Sequence, residues 1–431
     1  MNALVDSLPF MPGVYICTRS VKLSHMEPIT LLKDKKIVLG ITGSIACYKA
    51  VDLASKLTQA GAQVDVILTE SARQFVSPLT FRSVTGRPVF SNMWQLDEHV
   101  RHVGLGETAD LLLIAPATAN TLAKLAHGFA DNLLTVTALA ARCPVLVAPA
   151  MDGGMYVHAS TQANVKLLQE RGVSFAGPVA GRMASGLEGL GRMIEPAELL
   201  ALVRLQIARG GLLAGRHVVV STGPTREPLD PVRFISNRST GKQGLAVAQA
   251  ALDAGARVTL VHGPVSEPLP LGVTAVSVQT TQEMADAVLE AVADADALFM
   301  VAAVADFRPE TSSERKIKKT DQTWGRAIGL EVTLDILSAV KEQREKSGFP
   351  RVSLGFAAET HDAFDYGREK LLRKGLNFIA VNDVLLDGAG FAVDTNQVLL
   401  LSSAGVVEEM PLMSKTAVAE RLVFHVSKAL G

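Results

Sequence analysis

The sequence predicts an α/β fold with two Rossmann-like domains arranged one after the other. Apolar strand segments alternate with amphipathic helical segments, which is typical of parallel sheets covered by helices on both faces. The same alternation starts again after a glycine-rich joint near residue 215. The length of 431 residues also suits two domains of α/β size.

The first series of elements begins at Lys35. An apolar strand, IVLGITG, leads into a helix that ends at a glycine, and a second strand, AQVDVILTE, follows. Further strands at Ala109–Pro116 and Pro144–Met151 precede helical segments at about 117–127 and 160–171. This order predicts a parallel α/β domain over residues 34–214.

The segment GGLLAGRH separates this domain from a second one, which we place at residues 215–431. The strands predicted for the second domain are His217–Thr222, Arg257–His262, Ala297–Val304, Arg351–Ala357, Asn377–Val381 and Gln397–Leu401. Its clearest predicted helices are Gly241–Ala254, Thr281–Ala293, Ala363–Lys374 and Lys415–Ala429. Residues 1–33 carry no clean targeting pattern and are predicted to be a poorly ordered extension.

Composition argues against several classes of protein. Lys and Arg number 42 and Asp and Glu 43, so the formal net charge of -1 gives no general affinity for nucleic acid or anionic membranes. The 3 cysteines form no CxxC pair and no metal-ligand spacing, which fits a reducing cytoplasm. No apolar run reaches the ~20 residues that span a bilayer. We therefore expect a cytoplasmic protein that acts on small molecules.

Glycines and hydroxyl residues follow two strands of the first domain. Gly40, Gly43 and Ser44 bring backbone amides to the start of a helix, an arrangement that suits a phosphate group. Their spacing is not GxGxxG, and no isolated acid follows the second strand at the position for a ribose, so the dinucleotide fingerprint is incomplete. In the segment APATAN, Thr118 and Asn120 either lie beside a flat ring or only cap a helix.

Two further segments of the first domain carry titratable groups. His99 and His102 are three residues apart, a pattern compatible with a metal site, with a surface pair or with a general base beside a bound ring. Asp152 is the one carboxylate of PAMDGGMY and stands next to two glycines. The glycine-rich run at residues 181–193 is typical of a segment that covers a site.

These segments together resemble the flavin-dependent cysteine decarboxylase family, in particular the decarboxylase half of the bifunctional phosphopantothenoylcysteine decarboxylase/phosphopantothenate-cysteine ligases. The motifs that carry the resemblance are GITGSIA, His102 ahead of ADLLLIAPATAN, PAM with MY, and the glycine-rich run. The resemblance implies an FMN-binding flavoprotein-type domain in which His102 is the catalytic base. The FMN-binding residues that it implies are Gly43, Ser44, Ile45, Thr69, Thr118 and Asn120.

Two catalytic positions differ from the pattern of that family. Asp152 stands where the family has an asparagine that grips the substrate carboxylate. Ser185 stands where the family has a cysteine that protonates the reaction intermediate, and a hydroxyl is a far weaker acid than a thiol.

The second domain has a donor-rich loop and two clusters of basic residues. Residues 222–244 do not form a Walker A loop, but their side chains surround a helix start and predict an anion site. The donors are Arg226, Arg233, Asn237, Arg238, Ser239 and Thr240. Asp306 ends a strand and is followed by a charged loop with the sequence RKIKK at 315–319. Lys370 and Lys374 lie one helical turn apart, and the two basic clusters together favour a triphosphate.

The second domain resembles the ligase half of the same bifunctional family, through PTREPLDPVRFISNRSTGKQG, AAVADFRP, KIKK, GFAAET and VND in that order. This resemblance implies a CTP-dependent ligase with Mg²⁺ on the nucleotide phosphates and with Asn237 stabilising an acyl-cytidylate intermediate. The CTP-binding residues that it implies are Ala302, Asp306, Lys316, Asp335, Ile336, Phe356, Lys370 and Lys374.

The resemblance, which covers residues 33–430, implies a role in coenzyme A biosynthesis. The ligase joins 4'-phosphopantothenate to cysteine, and the decarboxylase converts the product to 4'-phosphopantetheine. It also implies homo-oligomers, with trimers of the first domain and dimers of the second. Two alternatives stay open: a first domain that binds flavin without decarboxylating, because of Asp152 and Ser185, and an NAD-dependent oxidoreductase with two Rossmann domains.

Overall fold

The predicted α/β fold with two Rossmann-like domains is confirmed by a computed structural model of the chain. The structure describes residues 29–93, 101–182, 186, 188–318, 328–359, 362–383, 390 and 393–431, without the side chains of residues 101, 102, 359 and 383. Over these ranges, no helix combines the length and the apolar character needed to cross a bilayer.

The first unit is built on a parallel sheet of six strands in the order β3-β2-β1-β4-β5-β6. Its strands are β1 Lys36–Ile41, β2 Gln63–Leu68, β3 Val89–Phe90, β4 Leu111–Ala117, β5 Val145–Pro149 and β6 Ser174–Phe175, followed by a hairpin of β7 Val179–Arg182 and β8 Glu188–Arg192. Its helices are α1 Cys47–Gln59, α2 Pro78–Thr85, α3 Arg101–Thr108, α4 Ala119–His127, α5 Leu133–Ala140, α6 Gly153–Val157, α7 Ala159–Glu170 and α8 Pro196–Ala208.

Burial on both faces explains why the central strands of this sheet read as apolar runs. Every residue of β4 is buried, and β1 exposes only its first residue. On one face, α1 buries Ala50, Leu53, Ala54 and Leu57, which recur at the spacing of one helical face. The packed unit also includes Leu32, which is fully buried, and Ile29 packs against the same core, so these two residues of the predicted extension are part of the first unit.

The second unit has an eight-stranded sheet in the order β13-β12-β9-β14-β17-β18-β19-β20, parallel up to β18 and antiparallel beyond it. Its strands, with those of two small hairpins, are β9 His217–Thr222, β10 Arg226–Pro228, β11 Phe234–Ser236, β12 Arg257–His262, β13 Thr274–Ser277, β14 Ala297–Met300, β15 Phe307–Pro309, β16 Leu330–Val332, β17 Val352–Glu359, β18 Phe378–Asp383, β19 Thr395–Ser402 and β20 Gly405–Ser414. Its helices are α9 Lys242–Asp253, α10 Thr281–Ala291, α11 Ile336–Ser347, α12 Ala363–Lys374 and α13 Lys415–Leu430.

Helix α8 is shared by the two units. Its residues Leu199 and Val203 lie in the core of the first unit, whereas Leu205 packs against the core of the second. Arg204 Nε donates to Asp253 Oδ1 on α9 at 3.0 Å, and both side chains are largely buried. Leu213 is already part of the second core, two residues before the predicted boundary. The joint is therefore a packed interface.

Candidate active sites

The residues predicted to bind FMN come together at one edge of the first sheet. Gly43 and Ser44 follow β1, Thr69 follows β2, and Thr118 and Asn120 follow β4. Because β1 lies between β2 and β4, the chain leaves the sheet in opposite directions at this point. The carboxyl edge at such a switch point is where open α/β sheets bind their ligands.

Thr42 joins the loops that follow β1 and β4. Its hydroxyl donates to Pro116 O at 2.8 Å and accepts from the Thr118 amide at 3.0 Å, and the side chain is 1% exposed. On the other side, the Thr69 amide and hydroxyl both donate to Ile41 O, at 3.0 and 3.2 Å. Thr42 was not predicted, because a threonine at a strand end carries no signal of this bridging role.

Gly43 lies where the loops after β1 and β2 are in close contact. A Cβ on Gly43 would be 2.5 Å from Ser71 Cβ and 3.1 Å from the Ser71 carbonyl carbon. The side chain of Ile45 beyond it is 59% exposed, and α1 starts without an acidic residue in its first turn. Bare amides at a helix start suit a phosphate, and an exposed apolar side chain suits the face of a ring. These residues therefore fit FMN.

The glycine-rich hairpin of β7 and β8 lies against the loop that contains Asp152. The Met151 amide donates to Gly191 O at 3.0 Å, and a Cβ on Gly191 would be 2.3 Å from Met151 O. Asp152 is half-buried and caps α6, accepting from the Gly154 amide at 3.1 Å. Ser185 and His99 lie outside the described residues, and His102 lies in α3 with its side chain outside them.

The second unit has a cavity of about 680 Å³ at the carboxyl edge of its sheet. The loop after β14, the start of α9, the start of α11 and the end of α12 form its walls. The predicted ligase residues in these walls are Asn237, Ala302, Asp306, Asp335, Ile336, Phe356, Lys370 and Lys374. Lys316 is exposed and is not part of the wall.

Two lysines of α12 make specific contacts in this cavity. Lys370 Nζ donates to Phe356 O at 3.1 Å. Lys374, which is 8% exposed, forms an ion pair with Asp335 and donates to Ser338 Oγ at 3.0 Å. Burial acts to raise the pKa of the Asp335 carboxyl, but hydrogen bonds from Lys374 and Ser338 outweigh it and hold that pKa below its usual value. This wall is therefore a network of paired charges.

Asn237 uses both hydrogens of its side-chain amide within the protein. Nδ2 donates to Ala303 O at 3.0 Å and to Val304 O at 2.9 Å, so the side chain fixes the loop after β14. The resemblance implies that Asn237 stabilises an acyl-cytidylate. Donation from Nδ2 to that intermediate would require one of these two hydrogen bonds to break. Arg226 lies over the Phe234 ring at 4.6 Å, and Arg233 binds Asp230. Neither arginine is in the cavity wall, although the sequence predicts both as donors of an anion site.

Another part of the cavity wall contains side chains that the sequence did not single out. Asn396 Nδ2 donates to Gln243 Oε1 at 3.2 Å, and Gln243 Nε2 donates to Lys415 O at 3.2 Å. Lys415 Nζ donates to Gly390 O at 2.8 Å, and burial lowers the pKa of this lysine. No local motif marks Asn396 or Lys415, because only the antiparallel end of the sheet brings them to the cavity.

Comparison with known proteins agrees with this two-part layout. A family model described as Flavoprotein matches residues 25–208, and one described as DNA/pantothenate metabolism flavoprotein C-terminal domain matches residues 213–430. The coenzyme A biosynthesis bifunctional protein CoaBC of Vibrio vulnificus is 42% identical over 402 residues, which are 93% of this chain and 99% of the relative. The chain belongs to the CoaBC family.

CoaBC of Bacillus subtilis is 43% identical over 402 residues, 92% of this chain and 98% of that relative. The solved C-terminal domain of a CoaBC protein is 36% identical and covers 51% of this chain and 98% of its own, with a TM-score of 0.43. Membership of the CoaBC family confirms the prediction of a bifunctional enzyme of coenzyme A biosynthesis with a flavoprotein domain.

Proposed function

We propose that the second unit ligates 4'-phosphopantothenate to cysteine with CTP, and that the first unit decarboxylates the product with FMN to give 4'-phosphopantetheine. The observation that carries the ligase proposal is the single cavity that gathers Asn237, Asp306, Lys370 and Lys374. The observation that carries the decarboxylase proposal is the Gly43 loop at the switch point of the first sheet.

The ligase must first turn a carboxylate into an electrophile. The carboxylate of 4'-phosphopantothenate attacks the α-phosphorus of CTP, pyrophosphate leaves, and the acyl-cytidylate forms. The amine of cysteine then attacks the acyl carbon, loses a proton and displaces CMP. Asn237 holds the loop after β14, whose backbone lines the reaction space, through Ala303 O and Val304 O. No covalent bond to the enzyme is needed.

The CTP residues divide between a charged wall and a backbone wall. Lys370 and Lys374 on α12 carry the positive charge that offsets the phosphates, while Ala302 and Ile336 offer backbone close to the ligand. Within the described ranges, no group of three or more His, Cys, Asp or Glu side chains could hold a metal ion. We propose that Mg²⁺, when bound, would be held through the phosphates of CTP and would supply positive charge for the leaving pyrophosphate.

In the first unit we propose that Gly43, Ser44, Ile45, Thr69, Thr118 and Asn120 hold FMN. When bound, FMN supplies reversible uptake of two electrons, so that carbon dioxide leaves without net oxidation of the product. His102 is proposed as the base that takes the substrate proton. Asp152 accepts from the Gly154 amide, and a carboxylate at this position would oppose a substrate carboxylate.

Asp152 supports a second candidate function, in which the first unit binds flavin and does not decarboxylate. One coupled assay separates the readings: purified protein is given 4'-phosphopantothenate, cysteine and CTP, and pyrophosphate and carbon dioxide are followed separately. Release of both supports the bifunctional enzyme. Pyrophosphate without carbon dioxide, from yellow protein, supports the second candidate. Colourless protein that reduces NAD and releases neither product would indicate an oxidoreductase.

We also propose that the chain forms homo-oligomers through both units. Large apolar side chains are exposed on each unit, among them Leu79 at 68% and Phe129 at 60% on the first and Val332 at 76% on the second. Burial of these side chains between subunits would remove apolar surface from water, which favours association. The molar mass of the purified protein, measured by light scattering, tests this proposal, and a monomer would contradict it.

A further inference from the structure

We define the basic loop as residues 313–318. One residue of this loop is held by hydrogen bonds to its backbone. The Ile317 amide donates to Asp230 Oδ2 at 3.1 Å, and Ile317 O accepts from Arg233 Nη2 at 3.0 Å. Both backbone polar groups of Ile317 are thus bound by the same ion pair. Lys316 and Lys318 stand on either side of this fixed residue.

The carboxylate of the ion pair that holds Ile317 is fixed by several further hydrogen bonds. The Asp230 side chain is 0% exposed and accepts from the amides of Val232 and Arg233, both at 2.8 Å, and from Arg233 Nε at 2.9 Å. The hydrogen bonds of Arg233 hold the pKa of the Asp230 carboxyl far below its usual value, so it stays ionised. A buried carboxylate is tolerated only when several donors satisfy it, and this one has them.

Asp230 and Arg233 lie in a turn at residues 229–233, which makes a second contact with the basic loop and continues along the chain to the cavity. The Ser313 amide donates to Leu229 O at 3.0 Å. After the turn, the chain continues through β11 to Asn237 in the cavity wall. The basic loop itself follows β15, whose first residue, Phe307, also lines the cavity. Asp230 therefore ties together two segments that lie outside the wall but continue along the chain into residues that line it, Asn237 and Phe307.

We infer that Asp230, acting through Arg233 and Ile317, is a positioning residue that fixes the basic loop against the turn that precedes β11 and Asn237. It thereby sets the backbone position from which Lys316 reaches the phosphates of CTP. This inference rests on the proposed binding of CTP in the cavity. Asp230 touches no substrate, and its function is to restrict where the lysine can be.

The Asp230→Asn substitution tests the contact and its consequence separately. It keeps the shape of the side chain and removes the charge and one acceptor. Trypsin should cleave the folded full-length protein after Arg315, Lys316 and Lys318 about tenfold faster, because hydrogen bonds to a charged group are lost. The KM for CTP should rise roughly tenfold with a smaller change in kcat, since the loop is displaced and the chemistry is not.

The matched control is Asp253→Asn, which removes the same charge from another buried pair, with Arg204, at the end of α9, whereas the cavity is lined by the start of that helix. It should change neither the cleavage of the basic loop nor the KM for CTP. A second variant, Ile317→Pro, removes the amide that donates to Asp230, replaces the side chain and keeps the ion pair. It should accelerate cleavage after Arg315 and Lys318 and raise the KM in the same way.

The outcomes separate the inference from the function on which it rests. Combined with Lys316→Gln, Asp230→Asn should add no further rise in KM, and additive effects would overturn the link to Lys316. Unchanged cleavage in both variants would overturn the contact with Ile317. Faster cleavage with an unchanged KM would overturn the positioning role. If the parent protein uses no CTP, the proposed function fails. The cleavage assay still reports whether Asp230 and Arg233 hold Ile317.

Discussion

The two sites lie at the carboxyl edges of the parallel strands in the two sheets, but different kinds of chemical group form them. At the first, backbone and small side chains bring loops close together, as at Gly43 and Thr42. At the second, charged side chains face a cavity and are paired with each other, as Lys374 is with Asp335. The position of a site in the fold is therefore shared, while its chemistry comes from the residues placed there.

The difference suits two kinds of ligand. A site of close backbone contacts is already shaped for its ligand, so it suits a prosthetic group that stays bound. A site of paired charges has to exchange its internal partners for ligand phosphates, so it suits a substrate that enters and leaves in each cycle. Four substitutions test whether the two sites can be disturbed independently.

Gly43→Ala should have the largest effect, and only on the first unit. The added Cβ would lie 2.5 Å from Ser71 Cβ, and overpacking of this kind costs about 1–3 kcal/mol. Flavin affinity should fall roughly 5- to 150-fold, so the purified protein should lose most of its flavin absorbance and keep its ligase activity. The control is Gly210→Ala, where no atom lies within 4 Å. Parental flavin content in Gly43→Ala would remove this loop from the site.

Asn237→Asp is the corresponding change in the second unit. A carboxylate oxygen would replace the donor that now binds Ala303 O and Val304 O, and the unsatisfied acceptors cost about 1–3 kcal/mol. CTP-dependent release of pyrophosphate should fall about tenfold or more, with flavin absorbance unchanged. Asn164→Asp on α7 of the first unit is the matched control and should leave pyrophosphate release unchanged. Parental turnover in Asn237→Asp would contradict its role in the cavity.

Asp152→Asn should improve the first reaction. Asparagine caps a helix as well as aspartate does, so the contact with the Gly154 amide is kept. Two charges 4 Å apart repel by about 1 kcal/mol in water and about 4 kcal/mol near a protein surface. The KM for 4'-phosphopantothenoylcysteine should therefore fall by about fivefold or more, measured by carbon dioxide release. Asp152→Ala, which also loses the cap, is the control, and an unchanged KM in Asp152→Asn would mean that no charge opposes the substrate.

Asp335→Asn should have the smallest effect, and one that depends on pH. The pKa of Asp335 is lowered in the folded protein, so its pairing with Lys374 stabilises the fold above about pH 4. That contribution is lost as the pH falls through the lowered pKa. Because the Asp335 side chain is 51% exposed, the difference at pH 7 should be at most about 1 kcal/mol.

Urea unfolding of parent and Asp335→Asn at neutral and acid pH measures this difference. The parent should be more stable at pH 7, and the two proteins should converge in acid. Asp286→Asn, at an exposed position that bonds Gln282 on the same helix, should show no such convergence. A stability difference that is the same at every pH would contradict the ion pair.

The sequence predicted those elements whose periodicity is strong. The predicted bounds of His217–Thr222, Arg257–His262 and Ala363–Lys374 are those observed. Helix α11 was not predicted, because it buries only three residues, all in its first five positions, and has no apolar stripe farther along. Strand β20 was not predicted either, because it lies at the sheet edge and only one of its 10 residues is buried.

The candidate sites divide in the same way. Residues at strand ends, such as Gly43 and Asp306, could be predicted because parallel strands direct their carboxyl ends to one edge. Asn396 and Lys415 could not, since they reach the cavity only through the antiparallel strands that close the second sheet. The contact between Asp230 and Ile317 joins residues far apart in the sequence, and nothing local distinguishes that carboxylate from its neighbours.

Helix α8 ends the first unit and also covers part of the second, where Leu205 packs beside Gly272. A chain divided just after Ala208 would leave an apolar patch uncovered on each fragment and would separate Arg204 from Asp253. The two units are therefore joined by packing as well as by the chain. Separating them into independent polypeptides would require polar substitutions on both sides of the cut.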